Sequence, residues 1–369
     1  MINAEIHIAR WAALRERLAE NDVDALILNG GPDLDYLTGY AAMPLERLTA
    51  LVARADDERP TLLVPELEKA RVDHDPSVFD LLTWGELENP VDRLLDVAGD
   101  AQRFAVGDDI WGTHMLSLVR SRPDADLRTV SEAIVGVRAV KSAPEMEALQ
   151  TVGALADQVM TMVQTGEIEL VGRTESDIAA DIAENLLAVG HDKVMFVIVA
   201  SGPNSASPHH HPGDRIVEAD EMVLFDFGGT HAGFNSDTTR CVFTGAIPDD
   251  VQAAWDALMI AQQRAVDAAV AGNRLGDVDL AARDSLTDAG YGDAFVHRTG
   301  HGIGLQVHEQ PYITSTNDHT AVVGHCFSIE PGIYLDGKWG MRLEDIVVIG
   351  EDGHAIRCNH TDRKLISLG

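Results

Sequence analysis

The sequence predicts an α/β domain over residues 1–138 followed by an α+β domain over 139–369, in which a helix–helix–strand arrangement occurs twice. Three observations carry this expectation. The chain has 369 residues, a length that suggests about two domains. Its first third alternates short apolar runs with helix-like segments. The remainder reads as two helices, strands, two helices and strands, a weak internal duplication with no short-period repeat.

The elements follow in chain order. Residues 4–20 place Ile8, Trp11, Ala12, Leu14 and Leu18 on one helical stripe. "DALILN" at 24–29 is a buried-strand pattern. "ERLTALVAR", "RPTLLVP", "FDLLTW" and "QRFAVG" read as further strands, with helix-like segments at 66–72, 90–98 and 112–121. "SAPE" at 142–145 is a Ser-x-x-Glu capping box with Pro144 in the first turn, so a helix runs from there to about Thr165 and stops at Gly166. "TESD" at 174–177 starts the next helix, and two more are expected at 249–271 and 277–289.

Composition narrows the class of function. Hydrophobic residues make up 45% and charged residues 24%, an ordinary globular mixture. No apolar run approaches the ~18–20 residues of a membrane span. The N-terminal stretch is amphipathic and acidic and lacks a signal-peptide apolar region. Cys241, Cys326 and Cys358 are odd in number and show no CxxC spacing, so no disulfide framework is expected. A cytoplasmic protein fits these features. The net charge of −32, from 28 basic and 60 acidic residues, argues against nucleic acid and against anionic membranes as partners. Spread along the chain, it reads as a solubility feature that would suit a salty cytoplasm.

Four carboxylates stand out against apolar surroundings. Asp226 lies in "EMVLFDFGG", Asp237 in "GFNSDTTRCVF", Glu330 in "HCFSIEPGIYL" and Glu344 in "GMRLEDIVVIG". Each duplicated half is expected to carry a strand–turn–strand unit with one carboxylate on each strand. A dry carboxylate is costly unless compensated. Arg240 and Arg342 are near in sequence, but two cations do not balance four anions. Protonated carboxyls are one answer; two divalent ions are the simpler one. "HRTGHGIGLQVHE" at 297–309 offers a histidine ligand, His301, among Gly300, Gly302 and Gly304, with His297 and His308 flanking it. These glycines let the backbone approach something closely and exclude a helical zinc-protease motif.

These segments, together with "SGPNSASPHH", "HRTGHGIGLQVHEQP" and "FSIEPGIY" in order, resemble the pita-bread metallopeptidases, in particular Xaa-Pro dipeptidases (prolidases) and aminopeptidase P. The N-terminal part resembles their creatinase-like α/β domain more loosely, through "GPDLDYLTGY". The resemblance implies a C-terminal pita-bread catalytic domain and five metal ligands: Asp226, Asp237, His301, Glu330 and Glu344. Asp237 and Glu344 would be shared between two ions, Asp226 completing one shell and His301 with Glu330 the other. It implies hydrolysis of the bond before proline in dipeptides by a metal-bridged hydroxide. The hard donor set favours Mn²⁺, with Co²⁺ or Zn²⁺ as alternatives. His209, the first histidine after the proline of "SPHHH", and His308 are implied in the substrate pocket, with His210 and His211 as bystanders. Arg342 is taken as orienting Glu344, reaching substrate or making an ordinary ion pair. The family precedent is a homodimer whose N-terminal domain caps the site, acting on a small peptide with proline second.

One departure bears on substrate length. Relatives with an "HE-x-P" motif often place an arginine next, where it can bind the substrate's terminal carboxylate; here "HEQPYI" puts Tyr312 there. Arg342, Lys338 or a histidine would then have to serve. The alternatives are aminopeptidase P acting on longer Xaa-Pro-Yaa peptides, a non-peptidase relative such as creatinase, and a non-catalytic binding protein. The last two lose ligands, whereas all five are present here.

Overall fold

The structure, a computed structural model, describes residues 4–368. The chain divides into two compact units, Met1–Arg138 and Ala139–Gly369. Among the described residues, no helix is long and apolar enough to cross a membrane. Cys241, Cys326 and Cys358 are buried and free.

The first unit is built on a mixed six-stranded sheet. Its strands are β1 (Ala25–Asn29), β2 (Ala50–Arg54), β3 (Thr61–Pro65), β4 (Asp80–Trp84), β5 (Arg103–Val106) and β6 (Asp126–Thr129), in the spatial order β4-β3-β2-β1-β5-β6. β1 is buried along its whole length, as its unbroken apolar run requires. Among the described residues, five α-helices accompany the sheet: α1 (Ala4–Glu20), α2 (Pro32–Thr38), α3 (Pro90–Ala98), α4 (Gly112–Ser121) and α5 (Val130–Ile134). Asn89 caps α3 by accepting from the Val91 N–H, and Val91, Leu94, Leu95 and Ala98 pack with Ile27, Val52 and Phe104 of the sheet. The buried stripe of α1 is His7, Trp11, Leu14 and Leu18. Ile8 and Ala12, placed on that stripe by sequence, are exposed. The reason is His7, whose Nδ1 lies 3.0 Å from the Tyr36 carbonyl oxygen and so satisfies a polar group in a core position. Residues 66–71 form a 3₁₀ turn.

The second unit is duplicated. Its first half runs α6 (Ala143–Gln164), α7 (Glu175–Val189), β7 (Lys193–Ser201), β8 (Met222–His231), β9 (Phe234–Asn235) and β10 (Thr238–Phe243). Its second half runs α8 (Asp249–Ala268), α9 (Leu275–Asp288), β11 (Gly300–Gly302), β12 (Glu309–Ile313), β13 (Cys326–Ile329), β14 (Gly332–Leu335), β15 (Trp339–Arg342), β16 (Asp345–Ile349) and β17 (Ala355–Arg357), and β18 (Ile366–Ser367) follows. One sheet has the order β18-β10-β8-β7 with β9 on β8; the other is β12-β11-β13-β16-β17; β14 and β15 pair separately. α6 starts at the predicted Ser142–Glu145 capping box. α6 and α7 bury Val159, Met160, Ile178 and Ile182 against Val223, Phe225 and Phe227 of β8. α8 and α9 bury Leu258, Ala261, Val278 and Ala282 against Phe327, Ile329 and Val347. Each sheet therefore carries a helix pair, and β8 is buried on both faces.

The matched hairpins expected from sequence differ from the observed ones. Asp226 alone lies inside a strand. Asp237 directly precedes β10, Glu330 directly follows β13, and Glu344 directly precedes β16. β13 and β16 pair with each other, yet the β14–β15 hairpin is inserted between them. The chain leaves the ladder at these strand ends, which lets three carboxylates turn toward one point.

Candidate metal centre

The two sheets meet at the candidate ligands. On β8, residues alternate between faces, and Asp226 stands opposite Thr239 of β10 in the antiparallel register. Thr239 in turn forms an isolated bridge with Glu344, whose N–H donates to the Thr239 carbonyl at 3.2 Å. That bridge joins the first sheet to the start of β16. In the second sheet, β11 carries His301 between β12 and β13. The glycines around it serve sheet packing. A Cβ on Gly300 would lie 1.8 Å from the Ser328 carbonyl oxygen, and one on Gly302 would lie 2.3 Å from that of Gln310. The close approach anticipated from sequence is thus to neighbouring backbone. The His301 N–H donates to Ser328 Oγ at 2.9 Å, and that hydroxyl donates to Glu330 Oε1 at 2.9 Å.

All five expected ligands converge. His301 Nε2 lies 3.2 Å from Glu330 Oε1 and 3.7 Å from Asp237 Oδ2. Asp237, His301 and Glu344 offer donor atoms within 4.8 Å of one another, and all three are buried. Asp226 is also buried, and Glu330 is half-buried. Burial, reinforced by the neighbouring carboxylates, pushes the pKa values of Asp237 and Glu344 well above the usual range. Burial lowers His301 to about 4, so its ring stays neutral and can ligate. One oxygen each of Asp226, Asp237 and Glu344 is buried without any hydrogen-bond partner. Three buried carboxylate oxygens without hydrogen-bond partners beside a neutral imidazole form a donor set suited to a divalent cation. The residues present therefore fit divalent metal.

Among the described residues, Arg342 is the one arginine or lysine that forms an ion pair with a carboxylate of this cluster. Arg342 is 2% exposed. Its Nη2 donates to Asp226 Oδ2 at 2.5 Å, its Nε to Thr239 Oγ1 at 3.1 Å, and its Nη1 to Tyr334 Oη at 2.8 Å and the Pro208 carbonyl at 3.2 Å. Burial works against its charge, but Tyr334 and Asp226 hold its pKa well above the ordinary value. With its donors so committed, Arg342 is turned away from the role of substrate-carboxylate anchor considered from sequence. Arg240 is no counter-ion to the cluster either: it pairs with Asp345 at 2.6 Å. Two residues that sequence reasoning missed complete the arrangement. Thr239 Oγ1 donates to Glu344 Oε2 at 2.7 Å. Tyr334 Oη joins Arg342 to His297 Nε2, 2.9 Å away. Nothing local in "SDTTR" or "EPGIYL" announces either contact.

The pocket histidines are less embedded. His308 is exposed, and its ring centroid lies 3.9 Å from that of His301. Partial burial, then the charges of His301 and Arg298, lower its pKa. The next residue, Glu309, is buried and pairs with Lys141 at 2.7 Å, fixing the end of the 304–309 loop. His209 is exposed, beside the Pro208 carbonyl that Arg342 holds. His210 is no bystander. Its Nε2 lies 2.7 Å from Oε2 of the fully buried Glu175, which also accepts from the Ser201 N–H and hydroxyl, the Asn204 amide and the Gly213 N–H. Glu175 thereby fastens the 201–213 segment that carries His209. In the sequence it registered only as part of a helix start.

The duplicated fold with this carboxylate–imidazole centre is that of the pita-bread metallopeptidases. Residues 147–351 match Metallopeptidase family M24, and residues 10–140 match the Creatinase/Prolidase N-terminal domain. The chain belongs to metallopeptidase family M24 and is a metal-dependent peptidase. It is 41% identical over 369 residues to "Probable dipeptidase PepE" of Mycobacterium tuberculosis, covering 99% of this chain and 97% of that protein. It is 35% identical over 361 residues to "Xaa-Pro dipeptidase" of Lactobacillus delbrueckii subsp. lactis, covering 95% and 97% of the two chains. The crystal structure of dipeptidase PepE from Mycobacterium ulcerans superposes with a TM-score of 0.92 at 39% identity, covering 100% of this chain and 99% of that one.

Proposed function

We propose that the chain hydrolyses Xaa-Pro dipeptides, with two divalent ions held by Asp226, Asp237, His301, Glu330 and Glu344. The observation that carries this reading is the set of three buried, unpartnered carboxylate oxygens beside His301. Relatives named dipeptidase and Xaa-Pro dipeptidase, matched over nearly the whole chain, support the substrate class. The bound ions would supply Lewis acidity and a water acidic enough to serve as nucleophile near neutral pH. His308, kept neutral, hydrogen-bonds the substrate carbonyl region, and His209 approaches it from the opposite loop. Arg342 is a positioning residue: it holds Asp226, Thr239 and the Pro208 carbonyl in one frame. The hard donor set favours Mn²⁺ over Co²⁺ or Zn²⁺. The same reading takes a homodimer as the assembly, residues 1–138 as its substrate-capping domain and the cytoplasm as the location.

Mn²⁺-loaded protein incubated with Xaa-Pro, Xaa-Pro-Yaa and non-prolyl dipeptides tests the proposal. The expected result is fastest cleavage of Xaa-Pro. Much faster cleavage of Xaa-Pro-Yaa would replace the dipeptidase reading with aminopeptidase P, and cleavage of none of them would remove the peptide substrate altogether.

A further inference from the structure

A second polar layer lies behind the candidate metal centre, made of side chains that the proposed chemistry does not use. Arg240 and Asp345 are both fully buried and pair at 2.6 Å. Gln262 and Asn359 are buried beside them. An ion pair taken this far from water does not by itself stabilise a fold, because its desolvation cost offsets the attraction. What these groups hold is therefore the question.

They hold the main chain at the candidate ligands, from both sheets at once. Arg240 Nη1 donates to the carbonyl oxygens of Thr239 and Glu344, the two residues of the bridge that joins the sheets. Gln262 Nε2 donates to Asp345 Oδ2 at 3.0 Å and to the carbonyl oxygen of Ile329, the residue before Glu330, at 3.3 Å. Asn359 adds a second tie between the sheets. Its Nδ2 donates to the Asp237 carbonyl at 3.3 Å, and its Oδ1 accepts from the Ile346 N–H at 2.7 Å. Arg240 also donates to the Thr361 and Asp362 carbonyls, at 3.4 Å and 3.1 Å, which fastens the segment carrying Asn359. These bonds fall on main-chain groups and on Asp345. They take none of the carboxylate oxygens of Asp237, Glu330 or Glu344, which stay available to a cation.

We propose that Arg240, Asp345, Gln262 and Asn359 form a clamp that fixes the separation of Asp237 and Glu344 and thereby sets the affinity for divalent ions. This inference rests on the metal reading above, in which those two carboxylates are shared between the ions. They come from different sheets, at strand ends where the chain leaves the ladder, so ordinary strand pairing does not set their spacing. The clamp does so from the side away from the ions. Its members are positioning residues: they act through the ligands' main chain.

The test titrates chelator-treated wild type, N359A, R240K and K364A with Mn²⁺ by calorimetry and records the Tm of each in chelator and at one fixed Mn²⁺ concentration. Lys364 is an exposed residue of the same C-terminal stretch and serves as the control. N359A and R240K should weaken Mn²⁺ binding about 10- to 100-fold, while K364A stays within about twofold of wild type. Their Tm deficit against wild type should be wider in Mn²⁺ than in chelator, because a weaker Kd removes part of the ligand-linked stability. A merely structural role would lower Tm equally in both buffers and leave the Kd unchanged, and that result overturns the proposal. A K364A effect equal to theirs overturns it too. Should R240K fail to fold, N359A, which disturbs no charge, decides the matter alone. Wild type that binds Mn²⁺ with both variants unchanged overturns the clamp and leaves the metal reading standing. Wild type that takes up no Mn²⁺, Co²⁺ or Zn²⁺ removes the metal reading and the clamp with it.

Discussion

Glu175 is a charge with no water around it. Burial alone would raise its pKa, but hydrogen bonds from Ser201, His210 and Asn204 more than offset this and hold it below the ordinary 4.5. A carboxyl with a depressed folded-state pKa contributes stability above its unfolded value, and that contribution is lost as pH falls through the folded value. Glu175→Gln should therefore cost about 1.5–3 kcal/mol at pH 7, where charge-assisted bonds are removed. Its deficit against wild type should shrink below pH 4.5. Denaturant unfolding of both proteins at pH 7 and under acid conditions checks this; a deficit absent at pH 7, or one that grows toward acid, would contradict it. The same residues show what was legible. Asp226, Asp237, Glu330, Glu344 and His301 were readable because a carboxylate or a glycine-flanked histidine amid apolar strand residues is chemically odd. Their partners were not, because they come from far along the chain: Thr239 and Glu344 are 105 residues apart, and Arg342 and Asp226 are 116. No local pattern encodes such a pair, so the sequence does not show that Arg342 is tied to Asp226 in particular or that His210 meets Glu175.

Local chemistry decides which elements could be read. α6 was placed to within a residue or two because Ser142 and Glu145 form a reciprocal cap. α2 and β18 were not anticipated, being short elements of 7 and 2 residues that tertiary contacts define. The β14–β15 hairpin between Glu330 and Glu344 also escaped, so the 14-residue spacing was taken for a simple turn. Close strand packing gives the element-scale prediction. On Gly300 a methyl would meet the Ser328 carbonyl oxygen at 1.8 Å, whereas on Gly112, the first residue of α4, it would meet nothing within 4 Å. Gly300→Ala should destabilise by about 2–4 kcal/mol, and Gly112→Ala should be neutral or stabilise by up to about 1 kcal/mol. Thermal unfolding of the two variants distinguishes them, and equal effects would show that β11 can move off β13.

At the scale of the whole molecule, a chain with a net charge of −32 gathers four carboxylates in one interior site. Without metal, Asp237 and Glu344 hold raised pKa values, so their folded-state advantage exists only at low pH and disappears as pH rises through those values. Near neutral pH the account therefore requires divalent ions, which stabilise the folded chain in proportion to the logarithm of their concentration over Kd. The most direct measurement is a calorimetric titration of chelator-treated wild type and Asp237→Asn with Mn²⁺ at pH 7.5. The variant removes a repelling charge from the metal-free site, so its folding is not at risk. The account predicts stoichiometric uptake of two ions per chain by wild type and loss of at least one of them in Asp237→Asn. Wild type that takes up no stoichiometric Mn²⁺, Co²⁺ or Zn²⁺, or a variant that binds as wild type does, would contradict it.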